Sequence, residues 1–115
     1  MPNHSEDLDH VFRALSDPTR RAVVQRLSEG PASVSQLAEP FEMALPSFLQ
    51  HLRVLEDSGL VQSKKSGRVR TFEISPKPLA EAESWLGHQR AIWEGRLDRI
   101  EKLIAKMKAA EDKNG

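Results

Sequence analysis

The chain has 115 residues, 17 Lys+Arg balanced by 17 Asp+Glu, four histidines and no cysteine. That length suits one domain with a modest core, and the lack of cysteine excludes disulfides, thiolate metal sites, cysteine nucleophiles and thiol redox sensing. The charge sums to zero but is unevenly placed: residues 1–44 hold four Lys/Arg against seven Asp/Glu, residues 45–72 hold five against two, and residues 73–115 hold eight against eight.

A positive middle segment in a neutral chain marks where an anionic partner would sit. No run of about 18 apolar residues is present, so no membrane span is expected. The opening MPNHSEDLDH is polar and acidic and lacks the apolar stretch of a signal peptide, so the expected location is cytoplasmic.

Residues 1–7 read as a disordered lead. Leu8, Val11, Phe12 and Leu15 recur at helical spacing and predict a one-sided helix. Asp17-Pro18 starts another, with Asp17 as N-cap and Pro18 at the first helical position. Its inward face carries Ala22, Val23 and Leu27, and Gly30-Pro31 ends it. Ser33 reads as the next N-cap, with Gln36 as its capping-box partner. Val34, Leu37 and Ala38 point inward, and Pro40 keeps this helix short.

The helix from Leu45 to Gly59 is the most informative. At about 100° per residue, Leu45, Phe48, Leu49, Leu52 and Leu55 gather on one side. Ser47, Gln50, His51 and Val54 fall opposite. Three hydrogen-bonding side chains in the first two turns are what a base-reading helix presents. A solvated polar face is the simpler account of this helix alone, and the segment that follows changes the balance. Leu60–Lys64 and Arg68–Ile74 read as paired strands around a Ser66-Gly67 turn. Alternation puts Arg68, Arg70 and Phe72 on one face, with Val69 and Thr71 on the other. Lys and Arg on an edge hairpin also guard against aggregation, but no acid interrupts positions 58–72. The predicted fold is mostly α with a small β-hairpin, a winged helix-turn-helix over residues 8–76. Such a unit holds double-stranded DNA, with the helix in the major groove and the hairpin on the neighbouring backbone.

Residues 77–111 predict one long helix, and 112–115 a frayed tail. Leu86, Trp93, Ile100 and Met107 repeat every seven residues, and Leu97 and Ile104 fill a second seam position. From Pro78 to Ala110 such a helix spans roughly 50 Å, too long to bury its apolar face on so small a domain. A second copy of the chain is the simplest cover, which makes this a dimerisation helix. Trp85, Trp93, Phe12 and Leu86 read as interface core rather than as walls of a ligand pocket.

FRALSDPTRRAVVQRL, VSQLAEPF, LPSFLQHLRVLEDSGLV and KKSGRVRTFEI, in this order and spacing, resemble the ArsR family of bacterial winged helix-turn-helix regulators. The resemblance covers roughly residues 10–76. The tail WLGHQRAIWEGRLDRIEKL is similar to a branch of the family without an obvious metal site. The resemblance implies a homodimer that binds an inverted-repeat operator and usually represses transcription, with the terminal helices as its interface. Carried over by position, it puts Ser47, Gln50 and His51 at base edges and Arg53 at a phosphate. Lys64, Lys65, Arg68 and Arg70 go to the backbone or minor groove, and Ser33 and Ser35 to phosphate. Many members have small polar residues where this chain has Ala44, Leu45 and Leu49; a leucine there can meet a thymine methyl. The interface it implies carries Phe12, Leu86, Trp93, Leu97, Ile100, Ile104 and Met107.

Metal sensing, known in the family, is not expected. The terminal helix offers only His88 among scattered acids, and His4 and His10 flank HSEDLDH, so all three read as ordinary surface. No cofactor is implied. No nucleophile elbow, phosphate loop or zinc-protease motif is present, so an enzyme is not expected. The alternative to a DNA-binding regulator is a winged-helix module that docks a protein, or a heterodimer partner. Four clustered cations argue against it.

Overall fold

The structure, a computed structural model, describes residues 4–114. The elements run α1 (His4–Leu15), α2 (Pro18–Leu27), β1 (Ala32–Ser33), α3 (Val34–Ala38), α4 (Leu45–Asp57), β2 (Val61–Ser66), β3 (Val69–Ile74) and α5 (Pro76–Asn114). This is a winged helix-turn-helix followed by a long helix, as the sequence predicts. The chain divides into two compact units, one up to Ala82 and one from Glu83.

In the first unit the core is built from small and medium apolar side chains: Val11 and Ala14 of α1, Val23 and Leu27 of α2, Leu37 of α3, Phe48, Leu52 and Leu55 of α4, and Leu60, Val61 and Phe72 around the sheet. No polar or charged residue among those described is buried. Helix α1 already runs at His4, inside the segment 1–7 expected to lack structure; residues 1–3 lie outside the described residues. The local starts and stops follow the expected chemistry. The Asp17 carboxylate accepts from the Arg20 amide at the head of α2. Ser33 and Gln36 form both halves of a capping box on α3. Gly59 turns the chain after α4 with φ 82°.

Several features differ from the sequence reading. Ala22 is exposed, so α2 turns inward only through Val23 and Leu27, with Val24 packed beside them. Leu45 and Leu49 are 54% and 43% exposed. The buried stripe of α4 narrows to Phe48, Leu52 and Leu55, and the other two leucines sit on its flank, beyond the reach of the core. A strand that periodicity could not reveal, the two-residue β1, pairs antiparallel with β3, setting Ala32 opposite Phe72 and Ser33 opposite Thr71. The sheet order is β1-β3-β2.

In the hairpin, Ser66 pairs with Val69, so the two turn residues are Gly67 and Arg68, one step beyond the expected pair. Gly67 has φ 61° and no non-glycine residue among those described has positive φ. Positive φ at the first central position only is the type II′ pattern, whose twist suits flanking strands.

In the second unit α5 carries on to Asn114 and makes up the whole of its described residues. The full helix has 39 residues, about 58 Å at 1.5 Å per residue. Among the described residues, nine of the twelve large apolar ones that are exposed lie on it: Trp85, Leu86, Ile92, Trp93, Leu97, Ile100, Leu103, Ile104 and Met107. The six residues expected to form a seam are all exposed, and Trp85, Ile92 and Leu103 are exposed as well.

Nothing lies within 4 Å of where a Cβ at Gly67 would stand. Gly67→Ala therefore carries only the cost of holding a side-chain-bearing residue at positive φ, about 1–3 kcal/mol. A urea midpoint unchanged by this substitution would rule out the turn described.

Candidate nucleic-acid interface

The register of the hairpin decides which cations face the same way. Directly opposed residues share a face. Val61, Ser63 and Lys65 therefore share one with Ile74, Phe72 and Arg70. Val61 and Phe72 are buried, so this is the face turned to the core and to α4. Lys65 and Arg70 continue it past the end of the core, side by side and exposed. Lys64 lies on the outer face and Arg68 in the turn. Among the described residues, no salt bridge involves Arg53, Lys64, Lys65, Arg68 or Arg70. Two like charges held opposite one another cost a few tenths of a kcal/mol or more, about 0.2–1. An anion lying across the tip relieves that repulsion.

The wing is tied to α4 by a short polar relay. Arg70 Nη1 donates to Ser63 Oγ at 2.8 Å, and Ser63 Oγ donates to Glu56 Oε1 at 3.0 Å. Arg53, Leu49, Glu56, Arg70 and Val34 line a groove of about 310 Å³ between α4 and the wing. On α4 itself, Ser47, Gln50 and Arg53 are exposed, and so are Leu45 and Leu49. The first turns thus offer hydroxyl, amide, guanidinium and isobutyl groups together, the mixture that base edges and thymine methyls call for.

The remaining expected site residues are placed differently. Ser33 is half-buried and its Oγ accepts from the Gln36 amide at 3.2 Å, so its main task is capping; Ser35 is exposed. His51 is half-buried against α2. Its Nδ1 is 3.1 Å from Arg20 Nη1 and 3.7 Å from Asp17 Oδ2. Phe12 is half-buried against the core of the first unit. His10 and His88 are exposed; the His4 side chain lies outside the described residues. Among the described residues no three His, Cys, Asp or Glu side chains gather as metal ligands. No helix among them is long and apolar enough to cross a membrane.

Sequence reasoning missed the contact of Asp17 and Arg20 with His51 and the Glu56–Ser63–Arg70 relay. The first pair was visible only as a cap signal. The second spans partners 7 residues apart in both steps, with no periodic mark.

A family model described as a helix-turn-helix domain matches residues 15–63. The chain is 40% identical over 72 residues to the HTH-type transcriptional regulator Rv2034 of Mycobacterium tuberculosis, which covers 63% of this chain and 67% of that protein. It is 28% identical over 79 residues to the transcriptional repressor SdpR of Bacillus subtilis, covering 69% and 88%. The crystal structure of the ArsR family transcriptional regulator RHA00566 is similar with a TM-score of 0.76 at 54% identity, covering 82% of this chain and 97% of that one. The chain belongs to the ArsR family of transcriptional regulators, which are DNA-binding proteins rather than enzymes.

The Asp17 carboxyl gives a pH prediction. Partial burial raises its pKa, but the Arg20 amide bond, the fields of His51 and Arg20, and the Thr19 amide bond outweigh that and hold it below the usual carboxylate value. A depressed folded pKa stabilises the fold above the unfolded pKa, about 3.9, and that contribution is lost as pH falls through the folded value. An asparagine at this position would still cap the helix but would not titrate. The stability advantage of the native chain over Asp17→Asn, read from urea midpoints, should shrink as pH falls below about 4. An advantage independent of pH would contradict the assignment.

Proposed function

We propose that the chain is a transcriptional repressor that binds an inverted-repeat operator as a homodimer, with α4 in the major groove and the wing on the adjacent backbone. The observation that carries this reading is the exposed, mixed polar and apolar start of α4 beside a wing whose four cations have no acidic partner in an ion pair. Gln50 forms paired hydrogen bonds to an adenine edge, Ser47 reads a neighbouring base, and Leu45 and Leu49 meet thymine methyls. Arg53, Lys64, Lys65, Arg68 and Arg70 contact phosphate, supplying affinity without sequence information. Ser35 and the Ser33 hydroxyl proton add to the backbone contacts. The dimer forms along α5 through Leu86, Trp93, Leu97, Ile100, Ile104 and Met107. The exposed apolar stripe supports this pairing, since so many large side chains left in water favour association.

The division of labour between base and backbone contacts is testable in one experiment. Gln50→Ala should cost about 1–3 kcal/mol on the operator and nothing on random duplex. Arg68→Ala with Arg70→Ala should weaken both DNAs alike and flatten the dependence on salt by about two phosphate contacts. Equal losses from Gln50→Ala on both DNAs would move that residue to the backbone. Unchanged binding by the arginine variant would remove the wing from the interface.

Replacing Leu97 and Ile100 with glutamate should give monomers in sedimentation while the first unit keeps its helical circular dichroism. A surviving dimer would place the contact on another surface.

A further inference from the structure

From α2, the Arg20 side chain reaches two other helices at once. Its Nε donates to the Ala14 carbonyl at 2.7 Å and its Nη2 to the Arg13 carbonyl at 3.1 Å. These belong to the last turn of α1, where carbonyls lack helical partners. Attachment at two points fixes the plane of the guanidinium and aims Nη1 at His51 Nδ1, 3.1 Å away on α4. A guanidinium only donates. Nδ1 must therefore offer its lone pair, and a neutral ring then carries its proton on Nε2. The Asp17 carboxylate, 3.7 Å from Nδ1, stands beyond hydrogen-bonding reach and does not compete for that position. Nε2 has no partner among the described residues, and no buried side-chain nitrogen or oxygen among them lacks one. Nε2 is accordingly open to solvent.

We propose that Arg20 holds His51 in the Nε2–H tautomer, so that α4 presents one pre-oriented hydrogen-bond donor to an acceptor on DNA, a purine N7 or a phosphate oxygen. The proposal rests on the reading of α4 as the DNA-facing helix and adds a selection rule to it. An unrestrained neutral histidine can donate or accept through its outer nitrogen. A locked one only donates, so it rejects the amino groups of adenine and cytosine, which are donors in the major groove. A helical side chain leans toward the N-terminus of its own helix, which carries the His51 ring toward the groove-entering end of α4.

Nitrogen-detected imidazole NMR of the intact chain at about pH 8, where an ordinary histidine is neutral, needs no DNA. It should show His51 as Nε2–H; an Nδ1–H ring or an averaged pair overturns the proposal. Arg20→Lys cannot hold two carbonyls and Nδ1 together and should return a tautomer mixture; an unchanged Nε2–H ring would remove Arg20 from its positioning role. Should that variant fail to fold, His51→Asn keeps the question open to test. Its amide oxygen still accepts from Arg20, but its Nδ2 donors sit where the ring Cδ2 was and fall short of the place Nε2 reaches. It should bind the operator about tenfold more weakly; binding to random duplex stays unchanged if the acceptor is a purine N7 and falls alongside if it is a phosphate oxygen. Scanning the operator with 7-deazapurines and with methylphosphonates should find one position that weakens the native chain and not the asparagine variant. A deazapurine position identifies a base, and a methylphosphonate position a phosphate. No such position overturns the proposal, while the contrast between operator and random duplex for Gln50→Ala still judges the underlying reading by itself.

Discussion

Three side chains, Phe48, Leu52 and Leu55, fasten α4 to its core, and the usefulness of the rest of the helix depends on how narrow that attachment is. A wider apolar stripe would have buried Leu45 and Leu49 and removed both from the exposed surface of the helix. Instead, the core grips the helix along one edge, Arg20 reaches its His51 from α2, and Ser63 reaches its Glu56 from the wing. The helix is braced on both flanks by polar contacts, which depend on direction, and from behind by burial, which does not. That combination fixes rotation about the helix axis, the degree of freedom that decides which side chains α4 turns outward.

The wing follows a related pattern. Its inner face belongs to the core as far as Phe72 and Val61 and to charge beyond them. Lys65 and Arg70 stand opposite one another with no acid to separate them, a mild instability that the folded chain carries for a partner. Strand β1 matters here despite its two residues. Ser33 both pairs with Thr71 of β3 and caps α3, so the wing and the helix before α4 share a hydrogen-bonded joint.

Much of this was legible in the sequence because it rests on local chemistry. Asp17 before Pro18, Ser33 with Gln36, and Gly59 after a periodic run each mark a helix end by a mechanism that needs no distant partner. The heptad spacing on α5 was equally plain. What escaped was set by tertiary geometry. Periodicity assigned Leu45 and Leu49 to the core, since it reports which side is apolar and not how far the core extends. Two paired residues are too short a strand for any alternation. His51 looked like a free polar group because its partners, Asp17 and Arg20, lie more than thirty residues away and are recognisable locally only as cap and surface charge.

Whether the chain selects a sequence decides between base reading by α4 and every other use of this surface. Purified protein should be sedimented with a pool of random duplexes at low salt and the retained DNA sequenced. The expected result is a dimer that enriches one inverted repeat, with half-sites about one helical turn apart. Retention without enrichment of any sequence would contradict base reading by α4, and no retention at low salt would contradict DNA as the partner of this surface.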